Sequence, residues 1–84
     1  RDRYNMLGFI YFEAGQTSFA KNFYEQALQI NPNYVVALNN LAKIYEEVKD
    51  LKKAESLYDK VLTLNLNNKT ANRRKDFIAK TKNI

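Results

Sequence analysis

Eighty-four residues are enough for one small domain, which buries about 60–65% of its unfolded surface, and they exclude a catalytic core with a separate substrate domain. Hydrophobic residues make up 45% and charged residues 27%, the balance of a folded globular protein. The absence of Cys and His excludes thiolate nucleophiles, disulfides and the usual zinc ligands, and two glycines exclude a glycine-rich phosphate loop. No apolar run could cross a membrane and no secretory signal is visible, while the start at Arg1 indicates an excised fragment.

Apolar residues at helical spacing predict five helices, at roughly 2–14, 18–30, 34–48, 51–64 and 68–82. Gly15 is the residue type that ends a helix in the left-handed conformation, and Thr17 is a candidate N-cap for the second helix. The Asn-Pro-Asn segment 31–33 ends that helix, because proline disfavours helix before it, and we expect its asparagine to cap the third helix. Asp50 is the predicted cap of the fourth helix.

The chain repeats with a period of 34 residues, which divides it into units 1–34 and 35–68 and a remainder, 69–84. Ten of the 34 residues of the first unit recur at the same place in the second: Asn5, Leu7, Ile10, Tyr11, Glu13, Ala20, Tyr24, Leu28, Asn31 and Asn33. Small residues such as Gly8 and Ala20 let two helices cross closely, and we expect tyrosines to fill the space around the crossing. This pattern predicts stacked helical hairpins.

Eight positions of the first unit carry the signature of a known repeat: Tyr4, Leu7, Gly8, Tyr11, Ala20, Tyr24, Ala27 and Pro32. The second unit matches without the glycine and the proline, through Leu38, Leu41, Ala42, Tyr45, Ala54, Tyr58, Val61 and Leu66. At these positions residues 1–68 resemble the tetratricopeptide repeat family. The resemblance implies an all-α fold, an alpha-alpha superhelix of two antiparallel helix hairpins followed by a capping helix. It also implies that the first helix of each hairpin lines a concave groove for a partner segment.

Carrying the groove positions over gives eight candidate partner-binding residues: Asn5, Phe9, Phe12, Asn39, Asn40, Lys43, Arg73 and Arg74. Asparagine amides can hold a peptide backbone, although an Asn-rich sequence would also place asparagine here by composition alone. Family members that bind chaperone C-termini use five clamp positions, which here hold Asn5, Phe9, Asn40, Thr70 and Arg74. Because only Asn40 and Arg74 match that clamp, we predict that the chain does not bind chaperone C-termini.

The first hairpin is unusually apolar, through Met6, Phe9, Phe12 and Phe19. These side chains have two interpretations: a hydrophobic patch in the groove, or residues that pack against the next helix or against upstream sequence. We favour the second interpretation, because repeats bury their faces on their neighbours. Weak self-association through this open end is a further expectation.

Residues 69–84 hold six cations against one carboxylate and so carry the whole net charge of +5. Ala71 and Ile78, with the stems of Arg74 and Lys75, are expected to cover the second hairpin, which makes the segment a solvated cap. The alternatives are a docking strip for an acidic protein or anionic membrane surface, and a site for RNA or other nucleic acid. Nucleic acid is the less favoured partner, because only Phe77 offers a stacking ring among these cations.

The sequence does not favour an enzyme, because Glu46 and Glu47 diverge as helix neighbours and Ser18 and Ser56 lack an adjacent base. We predict a scaffold, adaptor or assembly factor that binds a protein segment, without a cofactor or a metal. Residues 67–74 are similar to the close of small plastid and cyanobacterial repeat proteins that help to assemble photosystem I. That similarity implies a location inside the cell, in the plastid stroma or at the thylakoid surface.

Overall fold

A computed structural model describes residues 3–82, with the backbone alone for Lys82. Over this range the chain forms five α-helices and no strand: α1 (Arg3–Glu13), α2 (Thr17–Ile30), α3 (Val35–Glu47), α4 (Leu51–Leu64) and α5 (Lys69–Lys82). The all-α prediction is confirmed, and the observed helix bounds lie close to the predicted ones. The predicted helix start at residue 2 lies outside the described residues. No described helix has both the length and the apolar character needed to cross a bilayer.

The helices pack as two hairpins and a final helix. α1 packs against α2 and α3 against α4, while α2 joins the hairpins by contacting α3, and α5 lies on α4. Gly8 sits where α1 crosses α2, and a Cβ atom there would lie only 2.6 Å from Cε1 of Tyr24. The first crossing therefore requires a residue without a side chain, as its position in the repeat predicts.

The hydrophobic core consists of two clusters that share the space between consecutive helices. One cluster lies between the hairpins and contains Ala20, Tyr24, Leu41 and Ile44. The other joins the second hairpin to α5 and contains Leu38, Ala42, Ala54, Tyr58, Val61, Ala71 and Ile78. Because Ala71 and Ile78 are fully buried, α5 covers the open side of the second hairpin. The division into units 1–34, 35–68 and 69–84, whose outer ends lie outside the described residues, stays a prediction.

The helix ends confirm some of the predicted signals and correct others. Gly15 has a φ of 81° in the left-handed region, and Oδ1 of Asp50 accepts a hydrogen bond from the backbone N–H of Lys53 at 3.3 Å, both as predicted. The expected side-chain caps of α2 and α3 are wrong, because Gln16 and Tyr34 precede these helices and make no capping bond. No asparagine of the segment 31–33 caps α3. Instead, Oδ1 of Asn31 accepts a hydrogen bond from the backbone N–H of Asn33 within the turn.

The apolar side chains of the first hairpin do not behave as one group. Phe12 is half-buried and packs against the cluster between the hairpins. Met6, Phe9 and Phe19 remain 58%, 53% and 56% exposed. The interpretation that they pack against the next helix is therefore wrong for these three, since more than half of each residue's surface stays exposed. The Phe19 ring instead contacts Tyr11 of the preceding helix, with ring centres 5.7 Å apart. Cover by upstream sequence stays a prediction, as does self-association.

Candidate functional site

One side chain from each of α1, α3 and α5 occupies the same place in the repeat and points into solvent. Phe9 and Phe77 are 53% and 52% exposed, and Lys43, which lies between them in the period, is exposed as well. We call the surface formed by Asn5, Phe9, Phe12, Asn40, Lys43, Glu46, Arg73, Arg74 and Phe77 the groove face. Its helices are those that the family resemblance assigns to the concave side.

Asparagine amides connect the three helices of the groove face. Nδ2 of Asn40 donates to Oδ1 of Asn5 at 3.3 Å, which ties α3 to α1. Nδ2 of Asn39 donates to Oδ1 of Asn68 at 3.4 Å, and the same oxygen accepts from the backbone N–H of Ala71 at the start of α5. Oδ1 of Asn39 is buried and finds no hydrogen-bond partner among the described residues. The sequence predicts Asn5, Asn39 and Asn40 as partner contacts, and in the structure each also forms a hydrogen bond to an asparagine elsewhere in the chain.

Glu46 is the centre of a charged network that the sequence did not indicate. Its carboxylate accepts hydrogen bonds from the Tyr58 hydroxyl at 2.6 Å, from Nε of Arg74 at 3.1 Å and from Nη2 of Arg74. Burial by itself would raise the pKa of the Glu46 carboxyl, but the hydrogen bonds from Arg74 and Tyr58 outweigh it and hold that pKa below its ordinary value. The guanidinium of Arg74 also lies 4.6 Å from the centre of the Phe77 ring.

The bond to Glu46 limits what Arg74, one of the predicted partner-binding residues, can contact. Its bidentate bond to Glu46 raises the Arg74 pKa, and the pair crosses from α3 to α5 over 28 residues of sequence. Helix periodicity places Glu46 away from Glu47, which is exposed, but periodicity within one helix cannot show which residue of α5 meets it. A partner carboxylate that reaches Arg74 must therefore compete with a carboxylate of the same chain.

A cavity of about 150 Å³ opens on the groove face between α1, α3 and α5. It is lined by Phe12, Lys43, Glu46, Glu47 and Arg74. The lining offers a phenyl wall, one exposed ammonium, one guanidinium and two carboxylates, so it suits a side chain with an apolar body and a polar end. Of the eight predicted residues, it brings together Phe12, Lys43 and Arg74.

The other cations of α5 differ in how far they are neutralised. Nζ of Lys75 lies 2.5 Å from Oδ1 of Asp59, which raises the Lys75 pKa, and Nζ of Lys80 lies 3.3 Å from Oδ2 of Asp76. Lys69 and Arg73 are exposed. The basic segment is thus partly an ion-pair surface rather than a uniform positive strip. Within the described range, no group of three His, Cys, Asp or Glu residues is placed to hold a metal ion.

Comparison with known proteins agrees with this architecture. The tetratricopeptide repeat family matches residues 11–71, and the chain belongs to this family. The first tetratricopeptide domain of Spaghetti (RPAP3), solved with a bound HSP90 peptide, superposes with a TM-score of 0.85 over 99% of this chain and 70% of that one. Since the two are 23% identical, the likeness concerns the fold alone.

Two relatives match most of this chain in sequence. It is 63% identical to ycf37 of Porphyra purpurea over 75 residues, which cover 89% of this chain and 43% of that protein. It is 37% identical to the chloroplastic tetratricopeptide repeat protein PYG7 of Arabidopsis thaliana over 73 residues, 87% of this chain and 24% of PYG7. The recognition of the family is confirmed, and the second of these relatives is a chloroplastic protein. The chain spans less than half the length of either relative.

Proposed function

We propose that this domain is a protein-binding scaffold that holds a segment of a partner protein along the groove face. The observation that carries the proposal is a row of three exposed side chains, Phe9, Lys43 and Phe77. They lie 34 residues apart and so occupy the same place in α1, α3 and α5. The side chains of Phe9 and Phe77 are about half exposed to solvent. A partner that covers them gains binding energy, because burial of apolar surface is its main source. The regular spacing suits an extended or helical segment.

The side chains of the groove face define the chemistry of that segment. Phe9 and Phe77 favour apolar anchors, and Lys43 and Arg73 favour an acidic residue near them. Arg74 is held by Glu46, so recognition of a free C-terminal carboxylate by this residue is disfavoured. We therefore propose an internal acidic and apolar segment, bound with a dissociation constant on the order of micromolar because a disordered segment must be ordered on binding.

The role in the cell that fits such a scaffold is that of an assembly factor or adaptor, without catalytic activity of its own. The relationship to a chloroplastic repeat protein supports a plastid setting. A part in the assembly of photosystem I follows from the resemblance of residues 67–74 and is the most specific form of the proposal.

The test is capture of partners from a plastid extract, followed by titration of the captured partner's peptides into the isotopically labelled domain. The variant Phe9→Ala/Phe77→Ala should weaken binding about tenfold or more, since both anchors are lost. Phe19→Ala is the matched control, because Phe19 is equally exposed but lies on α2. Chemical-shift changes confined to Lys21, Gln26 and Lys60, with Asn40 and Arg74 silent, would place the partner on the other face and contradict the proposal.

A further inference from the structure

A second concave feature lies away from the groove face, beside the ring of Tyr45. It is a cavity of about 230 Å³ lined by Leu41 and Tyr45 of α3 and by Lys53, Ser56 and Leu57 of α4. Lys21 of α2 reaches the same ring from the other hairpin. We call these six residues the Tyr45 furrow. None of them belongs to the groove face.

Two ammonium groups converge on the single ring of this furrow. Nζ of Lys21 lies 5.6 Å and Nζ of Lys53 lies 5.4 Å from the centre of the Tyr45 ring. Such contacts are weak at exposed sites, and they bring two like charges to one place. Lys21 and Lys53 therefore place two ammonium groups at the edge of the furrow, with Oδ2 of Asp50 3.8 Å from Nζ of Lys53.

Comparison of the two units shows that the fold does not require this arrangement. The residues 34 positions before Tyr45, Lys53 and Leu57 are Tyr11, Phe19 and Phe23. In the first unit these three form an aromatic cluster, with the Tyr11 ring centre 5.7 Å from that of Phe19 and 5.2 Å from that of Phe23. The second unit replaces this packed cluster by a cation and a smaller aliphatic side chain, and a cavity lies there.

We propose that the Tyr45 furrow is a second protein-binding site, specific for an acidic amphipathic segment. Leu41, Leu57 and the Tyr45 ring form an apolar floor that takes one aliphatic or aromatic side chain. Lys21 and Lys53 stand on different helices, so they pair with carboxylates on either side of that anchor. The domain then holds two segments at once, one on the groove face and one here, as a scaffold that brings two chains together.

The experiment uses the 84-residue chain with labelled methyl groups and tyrosine rings, and a capped peptide of leucines flanked by glutamates as the probe. We expect saturable shifts of the Leu41 and Leu57 methyls and the Tyr45 ring. Lys21→Gln/Lys53→Gln should weaken binding about three- to tenfold, since each exposed ion pair contributes modestly. The matched control Lys52→Gln/Lys60→Gln, which removes two exposed cations of α4 outside the furrow, should leave affinity unchanged.

The outcomes separate this site from the groove face. Phe9→Ala/Phe77→Ala should leave binding of the probe at the furrow intact, whatever becomes of the proposed function. Three results would overturn the inference: shifts that do not saturate, equal weakening by the control variant, or shifts of Asn40 and Phe77 in place of Leu57. A probe with serine in place of leucine that binds equally well would also overturn it, because the apolar floor would then be unused.

Discussion

At the scale of single residues, the closest helix crossing depends on the absence of one side chain. Gly8 faces the Tyr24 ring, which is 1% exposed and has no space to swing away. The second unit has Ala42 and Tyr58 at the equivalent positions, and both are fully buried. Each unit therefore has a small residue and a buried tyrosine at these two positions, with glycine in the first unit and alanine in the second. The first crossing has no room for a larger residue.

Gly8→Leu is expected to lower the free energy of unfolding by about 1–3 kcal/mol or more, because the new side chain overlaps the Tyr24 ring. Chemical denaturation monitored by far-UV circular dichroism measures the change. Gly8→Leu/Tyr24→Ala is the informative partner variant, since it vacates the space that the leucine needs. The clash account requires the double variant to lose less than the two single losses added together, and strict additivity would contradict it.

Glu46 connects stability to pH through its partly buried hydrogen bonds to Tyr58 and Arg74. Its pKa is lowered in the folded chain, so its contribution is present above the unfolded-state value of about 4.3 and is lost as pH falls through the folded-state value. Glu46→Ala should lower the free energy of unfolding by about 1.5–3 kcal/mol at neutral pH, because it leaves the Tyr58 hydroxyl and Arg74 without their acceptor.

The measurement is a set of denaturation curves between neutral and acid pH. The difference between wild type and Glu46→Ala should shrink toward acid pH, where the carboxylate is protonated in both folded and unfolded chains. Glu47→Ala is the control, since Glu47 is the exposed neighbour on the same helix and should change stability by under about 0.5 kcal/mol. A difference that stays constant over the whole pH range would show that the charge of Glu46 has no part in its effect.

At the scale of helices, the two hairpins end their first helix in the same backbone conformation with different residues. Gly15 has a φ of 81°, and Lys49, 34 positions later, has a φ of 67°. A residue with a Cβ atom pays a steric penalty in this left-handed region, whereas glycine does not. Asp50 follows Lys49 and caps α4, so the turn is fixed from both sides.

Lys49→Gly is expected to raise the free energy of unfolding by about 0.5–1 kcal/mol, because it removes the steric strain of the left-handed conformation. For a domain of this size the melting temperature should rise by about 2–8 °C. Lys60→Gly is the control with the opposite expected sign. Lys60 is an exposed residue inside α4, where glycine should lower the free energy of unfolding by about 1 kcal/mol. A loss of stability in Lys49→Gly would show that the lysine makes a contact worth more than the strain.

At the scale of the whole molecule, the two ends of the helix stack differ. Ile44 and Ile78, which share a place in the repeat, are 1% and 0% exposed because α2 and α4 cover them. Ile10 holds the same place in α1 and is 53% exposed, since no described helix precedes it. The charged helix α5 covers one end of the stack, while the α1 end presents exposed apolar side chains. This apolar end is the surface through which self-association is predicted.

The charge distribution also belongs to this scale. The net charge of +5 sits in the last segment, but Arg74, Lys75 and Lys80 are engaged with Glu46, Asp59 and Asp76. Among the described cations of α5, this leaves Lys69 and Arg73 to contact phosphates, so we expect only weak, non-specific binding of RNA or DNA by this segment. A logarithmic plot of affinity against salt should have a shallow slope, of about −1 to −2 for single strands.

Fluorescence anisotropy with a labelled single-stranded oligonucleotide at rising salt tests this expectation. Lys69→Gln/Arg73→Gln should remove most of the residual binding, while Lys52→Gln/Lys60→Gln, with the same loss of charge on α4, should remove less. Tight, salt-tolerant and sequence-selective binding would reverse the preference for a protein partner.

The sequence determined the architecture because the fold is built from local periodicity. Helices follow from apolar spacing, the hairpins from a 34-residue repeat, and the close crossing from Gly8, since each depends on neighbours near in sequence. The same reasoning placed Phe9 and Lys43 on one face, where they are exposed. It could not assign the asparagines, because Asn39 and Asn40 each choose between a partner and another helix only when the helices are docked.

Tertiary structure alone decided which charges are free. Glu46 of α3 contacts Arg74 of α5, 28 residues later, and Lys21 of α2 contacts the ring of Tyr45 of α3. Neither contact can be predicted from the spacing of residues within one helix. Long side chains take the partner that lies within reach after packing, and their choice depends on angstrom-scale distances between helices. For this reason the shared face of Phe9 and Lys43 follows from the 34-residue period, whereas the engagement of Arg74 and the opening of the Tyr45 furrow do not.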